Sequence, residues 1–253
     1  HMKYDYYNHT NVFKPGYNVQ IGVNNGYIAY SYISPDVNDM KTAIPFLEGY
    51  RRQFQDYPKT VVTDAGYGSY GNYAYAQLHQ IQAILKYSGY QKKKEKVTEK
   101  NQFQLLHMKR NEKGVPVCPQ GYDFEAEKVT VDMKSGVPRT TIHYRNQHCE
   151  GCPLRSRCTT SKKGRSARIS PQLEKYQKQV DAVLETEEGR KFIAQRSSQA
   201  EGAFADIKKN FGYSLLRRRG ESGVKVELGL VILGYNLRHY HQRKMKTNPD
   251  TMN

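Results

Sequence analysis

Ten residues, Thr60-Val61-Val62-Thr63-Asp64-Ala65-Gly66-Tyr67-Gly68-Ser69, constrain this chain more than any other stretch. Four β-branched residues in a row favour a strand. Gly66 and Gly68 break it at once. Asp64 is left at the C-terminal end of that strand, the edge where open α/β sheets bind ligands. A carboxylate there can hold a divalent cation, or it can cap the helix that follows. The stretch by itself leaves both readings open.

The flanking sequence supplies the other elements. Tyr17, Val19, Ile21 and Val23 alternate with Asn18, Gln20 and Gly22, a half-buried strand. Asn25-Gly26 signals a tight hairpin, and 27–34 reads as the returning strand. Ser34-Pro35-Asp36 opens a new element with Asn38 or Asp39 as cap, and a helix is expected over 40–54. After the Asp64 strand come a helix over 71–80 and a strand over 81–87. A hairpin followed by alternating helix and strand argues for a mixed α/β sheet.

Composition changes after residue 90. Lys92, Lys93, Lys94 and Lys96 make a charge run of the kind usually found in solvated loops. All four cysteines follow, spaced C-x30-C-x2-C-x5-C at Cys118, Cys149, Cys152 and Cys158. A hairpin turning at Ser135-Gly136 separates the first two. Four thiolates suit a structural tetrahedral zinc. They also suit a [4Fe–4S] cluster. Unliganded or bridged thiols are the remaining reading, and His143 and His148 stand near enough in sequence to replace one cysteine. A loop-rich block with few apolar residues needs a staple of this sort. The expected organisation is therefore 1–90, a cysteine-bearing insertion over 91–170, and C-terminal helices over 171–253 that complete the first part.

In the last part, Leu173, Tyr176, Val180, Val183 and Leu184 form a core-facing helical stripe. On a regular helix Ser197, Glu201, Phe204 and Lys208 share one face. Glu201 and Lys208 are then either a solvated row or a metal ligand with a phosphate clamp beside it. Gly212 is expected to end that helix, and Leu215-Leu216-Arg217-Arg218-Arg219-Gly220 is a dense basic turn. The segment 224–237 is apolar on almost every side, hence a buried helix, and 239–246 is a basic tail.

Charge narrows the choice of partner. Forty Lys and Arg against 24 Asp and Glu leave a formal net charge of +16, which favours a polyanion, most simply nucleic acid. The turn at Arg217 and Arg219 then reads as phosphate contact rather than as a solvated loop. No apolar run approaches the roughly 18 residues of a membrane span, and no basic amphipathic helix or lipidation signal offers a membrane surface. No signal peptide is visible, so a cytoplasmic, nucleoid-associated location is expected. His1-Met2 reads as a cloning remnant, with the natural chain continuing upstream.

Together these pieces resemble bacterial insertion-sequence transposases of the DDE type. The matching parts are Lys14-Pro-Gly-Tyr-Asn-Val-Gln, the turn from Ser34-Pro-Asp to Asp39, Thr63-Asp-Ala-Gly-Tyr-Gly-Ser, Cys149-x2-Cys152-Pro-Leu-x3-Cys158, Ala200-Glu-Gly-x-Phe with Lys208, and Arg219-Gly220. The resemblance implies an RNase H-like sheet flanked by helices, with a small cysteine-rich insertion. It makes Asp64 the second acid of the catalytic triad, Glu201 its glutamate, and Lys208 the lysine that follows. Mg²⁺ or Mn²⁺ at the carboxylates, DNA strand cleavage and transfer at element ends, and a homodimer are implied with it. The related pattern places an arginine four residues before the glutamate; Arg196 stands five before. The family's first aspartate lies in an Asp-Gly-Thr context on the first strand, and this sequence has no Asp-Gly dipeptide. The first strand and first aspartate are thus expected to be missing, since Asp5 and Asp39 are poor substitutes. A transposase-derived DNA-binding or regulatory protein without catalysis is the alternative reading.

Overall fold

The computed structural model describes residues 2–4 and 12–247. Asp5 lies outside the described residues. The architecture is mixed α/β, with strands gathered into small sheets of two or three. The chain divides into two compact units. The first comprises His1–Thr63, His79–Ile84 and Leu184–Asn253, and the second Asp64–Leu78 and Leu85–Val183. No helix among the described residues is long and apolar enough to cross a membrane.

The first unit is built on an antiparallel hairpin, β1 (Asn18–Asn24) and β2 (Tyr27–Ser34). Its two-residue turn, Asn25 and Gly26, has positive φ at both positions (50° and 84°), the twist that a tight hairpin requires. Helix α1 (Ala43–Phe54) follows a short 3₁₀ turn whose cap is Asn38, accepting from the Met40 amide at 3.0 Å. Tyr30 of β2 meets Phe46 and Tyr50 of α1 edge-on. Asp39 is occupied locally, its Oδ1 accepting from Asn18 at 2.7 Å and Gln20 at 3.3 Å. Strand β3 (Thr60–Thr63) pairs with β4 (Gln82–Leu85).

Helix α5 (Glu221–Thr247) lies on the hairpin. Val224 and Leu228 pack with Ile33, and Tyr235 packs with Ile28, Ala203 and Ile207. The expectation of a helix buried all round is not met. Val226, Leu230, Leu233 and Leu237 are each more than half exposed, so the apolar residues serve one covered side and one open side. The basic stretch 239–246 continues the same helix instead of forming a separate tail.

The second unit holds a three-stranded antiparallel sheet in the order β7 (Ser166–Ile169), β6 (Arg139–Arg145), β5 (Glu125–Asp132). Met108, Phe124, Tyr144, Ala167 and Ile169 form its core. A second cluster joins helix α2 (Tyr70–Leu78) to α3 (Pro171–Glu185), where Tyr176 sits against Tyr70 and Tyr73. With 21 tyrosines and no tryptophan, this core must satisfy its hydroxyls. Tyr73 donates to the Leu85 carbonyl at 2.6 Å and Tyr87 to Asp181 at 2.8 Å. Burial pushes both phenols up, and for Tyr87 the bond to Asp181 adds to it.

One close approach fixes the loop after Asp64. A Cβ on Gly68 would lie 2.2 Å from the Lys86 carbonyl oxygen and 2.7 Å from Tyr87 Cα. Backbone cannot yield as a side-chain tip can. Gly68→Ala is therefore expected to destabilise the protein by about 1–3 kcal/mol, as overpacking does elsewhere. Urea unfolding of the variant against wild type checks this, and an unchanged midpoint would contradict the packing described.

Candidate functional site

Asp64 follows directly on β3 and is half-buried. Its Oδ1 accepts from the Gly66 amide at 2.9 Å, an Asx-type turn that orients the carboxylate. Next along the loop, buried Asn72 donates its side-chain amide to the Tyr67 carbonyl at 2.8 Å. The β5–β6 hairpin of the cysteine-bearing segment touches the helix this loop enters. Tyr70 donates to the Pro138 carbonyl at 2.6 Å, and the Arg139 guanidinium lies over the Tyr70 ring. Asp64, α2 and that hairpin all belong to the second unit.

Glu201 belongs to the first unit, on a continuous helical stretch of unusual form. Helix α4 (Glu187–Arg196) runs into a π-turn, Ser197–Glu201. One turn of α-helix, Gly202–Ala205, separates it from a second π-turn, Asp206–Asn210. A π-turn holds one more residue than an α-turn, and such insertions cluster at functional sites. Here it aligns positions five apart: Arg196 Nη1 lies 3.0 Å from Glu201 Oε1. The extra residue between this arginine and the glutamate is thus absorbed by helix geometry. The face expected for a regular helix is shifted accordingly, although Lys208 still reaches back over the Phe204 ring. The Glu201 side chain is 63% exposed, so its carboxylate is open to solvent and ligand. A cavity of about 390 Å³ opens beside this stretch, lined by Gly26, Gln199, Gly202, Asp206, Tyr235 and His239 but not by Glu201.

Carboxylate oxygens are hard donors of the kind Mg²⁺ prefers. Among the described residues, however, no group of three or more His, Cys, Asp or Glu is arranged to hold a metal ion. That holds for the acids and for the cysteines.

The four cysteines are free, half-buried thiols in the second unit. Cys118 opens a turn closed by Gly121, whose amide donates to the Cys118 carbonyl at 2.8 Å. Cys149 and Cys152 flank a turn with Gly151 at φ 65°, and Cys158 ends the short helix Arg155–Cys158. The Arg165 amide donates to Cys149 Sγ at 3.4 Å. Asn146, only 2% exposed, ties the two turns together. Its Oδ1 accepts from the His148 amide at 2.8 Å, and its Nδ2 donates to the Tyr122 carbonyl at 3.4 Å. Burial pushes the Cys158 thiol up, and Cys149, Cys118 and Cys152 are near enough to push the same way. The two histidines near these thiols are engaged elsewhere: His143 bonds to Thr130 and His148 stacks on Tyr122.

Arg217 and Arg219 are exposed on the loop before α5. Glu227, which carries no motif signal, lies beneath them and is 8% exposed. Its position three residues after Val224 in an apolar helix was the one available hint.

Residues 117–241 match the family model of the transposase DDE domain. The match includes Glu201, Lys208, the basic loop and all four cysteines, while Asp64 lies before it. No curated protein and no solved structure matches the chain.

The expectation of a metal at the four cysteines has a direct test. Protein purified under reductant is expected to carry zinc or iron by elemental analysis, lost in Cys149→Ser with Cys152→Ser. Neither metal in the wild type would contradict that.

Proposed function

We propose that this chain, whose residues 117–241 match the transposase DDE domain, is a DDE-type insertion-sequence transposase that cleaves and joins DNA strands at the ends of such an element, with Asp64 and Glu201 as catalytic carboxylates and metal ligands. The family match carries the reading; the local geometry of the two acids supports it. Asp64 and Glu201 would hold Mg²⁺ or Mn²⁺, and the ion when bound would supply activation of an attacking water or 3′-hydroxyl and stabilisation of the leaving oxygen. The chain's own residues prepare for that. The Gly66 amide orients the Asp64 carboxylate. Arg196 neutralises and orients Glu201 across the π-turn. Lys208, Arg217 and Arg219 supply cations for DNA phosphates, in keeping with the net charge of +16.

The finer assignments follow the same reading. Residues 1–90 and 171–253 together make an RNase H-like domain, and 91–170 is an insertion into it. The four cysteines hold a structural zinc, or alternatively a [4Fe–4S] cluster, that braces the turns joined by Asn146. The protein works as a homodimer on paired DNA ends, in the cytoplasm at the nucleoid.

Nicking of supercoiled plasmid in Mn²⁺ tests the proposal. The protein with the family's first strand and first aspartate restored upstream is expected to nick it. Asp64→Asn and Glu201→Gln are each expected to lose at least about a hundredfold in rate, the size of effect seen when a positioned catalytic group is removed. DNA binding without metal-dependent nicking, or full activity in either variant, would overturn it.

A further inference from the structure

Three consecutive arginines repel one another, and a loop that exposes them has little apolar surface with which to hold a shape. The segment 213–220 is nevertheless fastened from below. Glu227, on the second turn of α5, accepts from the Arg217 amide at 2.7 Å and from the Arg218 amide at 2.8 Å. It also accepts from the Tyr213 hydroxyl. Leu216 packs against the cluster of Ile33, Val224 and Leu228. Gly220, at φ 74°, turns the chain into the helix, where its carbonyl accepts from the Val224 amide.

A buried carboxylate demands partners of this number and strength. The Tyr213 hydroxyl and the two loop amides hold its proton affinity below the ordinary carboxylate range, so it stays ionised. A carboxylate beneath three arginines would ordinarily pair with a guanidinium. This one accepts from the two loop amides and the Tyr213 hydroxyl instead. Among the described residues the Arg217, Arg218 and Arg219 side chains make no hydrogen bond or ion pair. All three are exposed.

We infer that Glu227 is a positioning residue for DNA: it fixes the 213–220 backbone so that Arg217, Arg218 and Arg219 are presented together to a phosphate backbone. This rests on the DNA reading proposed above. A loop ordered before binding loses less conformational freedom when phosphates arrive. Sequence-independent affinity should therefore depend on a carboxylate that never touches the nucleic acid.

The test is the affinity of the full chain for a fluorescent duplex of arbitrary sequence, measured across a salt titration. Arg217→Ala with Arg219→Ala is expected to weaken binding about tenfold at low salt and to lower the slope of log K against log salt by about 2. Glu227→Gln is expected to weaken binding about fivefold, although it makes the protein more positive and bulk attraction alone would tighten it. Tyr213→Phe should weaken it in the same direction, by about twofold. Adding Glu227→Gln to the arginine pair should cost clearly less than it does in the wild type, because only Arg218 is left for it to position.

Unchanged or tighter binding by Glu227→Gln, with the arginine pair still weakened, overturns the inference and leaves the DNA reading standing. An arginine pair with wild-type affinity and slope overturns both. Should Glu227→Gln fail to fold, Tyr213→Phe decides, and wild-type affinity in that variant overturns the inference.

Discussion

Single polar side chains bonded to the backbone of a neighbouring segment hold the hairpin, the cysteine-bearing turns and the arginine loop of this protein in place. Asn236 of α5 grips Ile28 at both ends, its Oδ1 accepting from the amide at 2.9 Å and its Nδ2 donating to the carbonyl at 3.0 Å. Asn146 joins the two cysteine-bearing turns in the same manner. Glu227 secures the arginine loop. A loop rich in charge and glycine has backbone groups that must be paired and few side chains with which to bury itself. A polar anchor satisfies those groups and fixes the position in one step. Its loss leaves a buried donor or acceptor unpaired, which costs about 1–3 kcal/mol.

The same economy bears on function. The DNA joining proposed for this chain needs acids and cations held without covering them. Asp64 is oriented by its own loop, and Glu201 by an arginine brought alongside through a π-turn. The Glu201 side chain is mostly exposed. The cations are exposed as well, on a backbone fixed from within. The β5–β6 hairpin, packed on Tyr70, links the cysteine-bearing segment to the helix that follows Asp64. A brace at the cysteines would thereby steady one side of the Asp64 loop.

Much of the fold was legible in the sequence. Asn25-Gly26 between alternating strands specified the hairpin, and the spacing of Tyr176, Val180 and Leu184 specified the buried side of α3. The length of α5 and its open side were not legible. Its sequence is apolar enough to be buried all round, and only tertiary contacts decide which side is covered. The π-turns were hidden too. A helical wheel assumes a constant rise and twist, so Arg196 five residues before Glu201 looked out of register when the backbone had absorbed the extra residue. Glu227 was invisible for a further reason: its partners are the amides of Arg217 and Arg218, and a backbone amide has no letter in a sequence.

Residue-resolved amide hydrogen exchange tests the role of these anchors most directly. The amides to follow are Ile28, His148, Arg217 and Arg218, which bond to Asn236, Asn146 and Glu227. The account predicts that all four exchange far more slowly than in an unstructured peptide, and that Arg217 and Arg218 lose their protection in Glu227→Gln while Ile28 and His148 keep theirs. Exchange of Arg217 and Arg218 at the unstructured rate in the wild-type protein would contradict it.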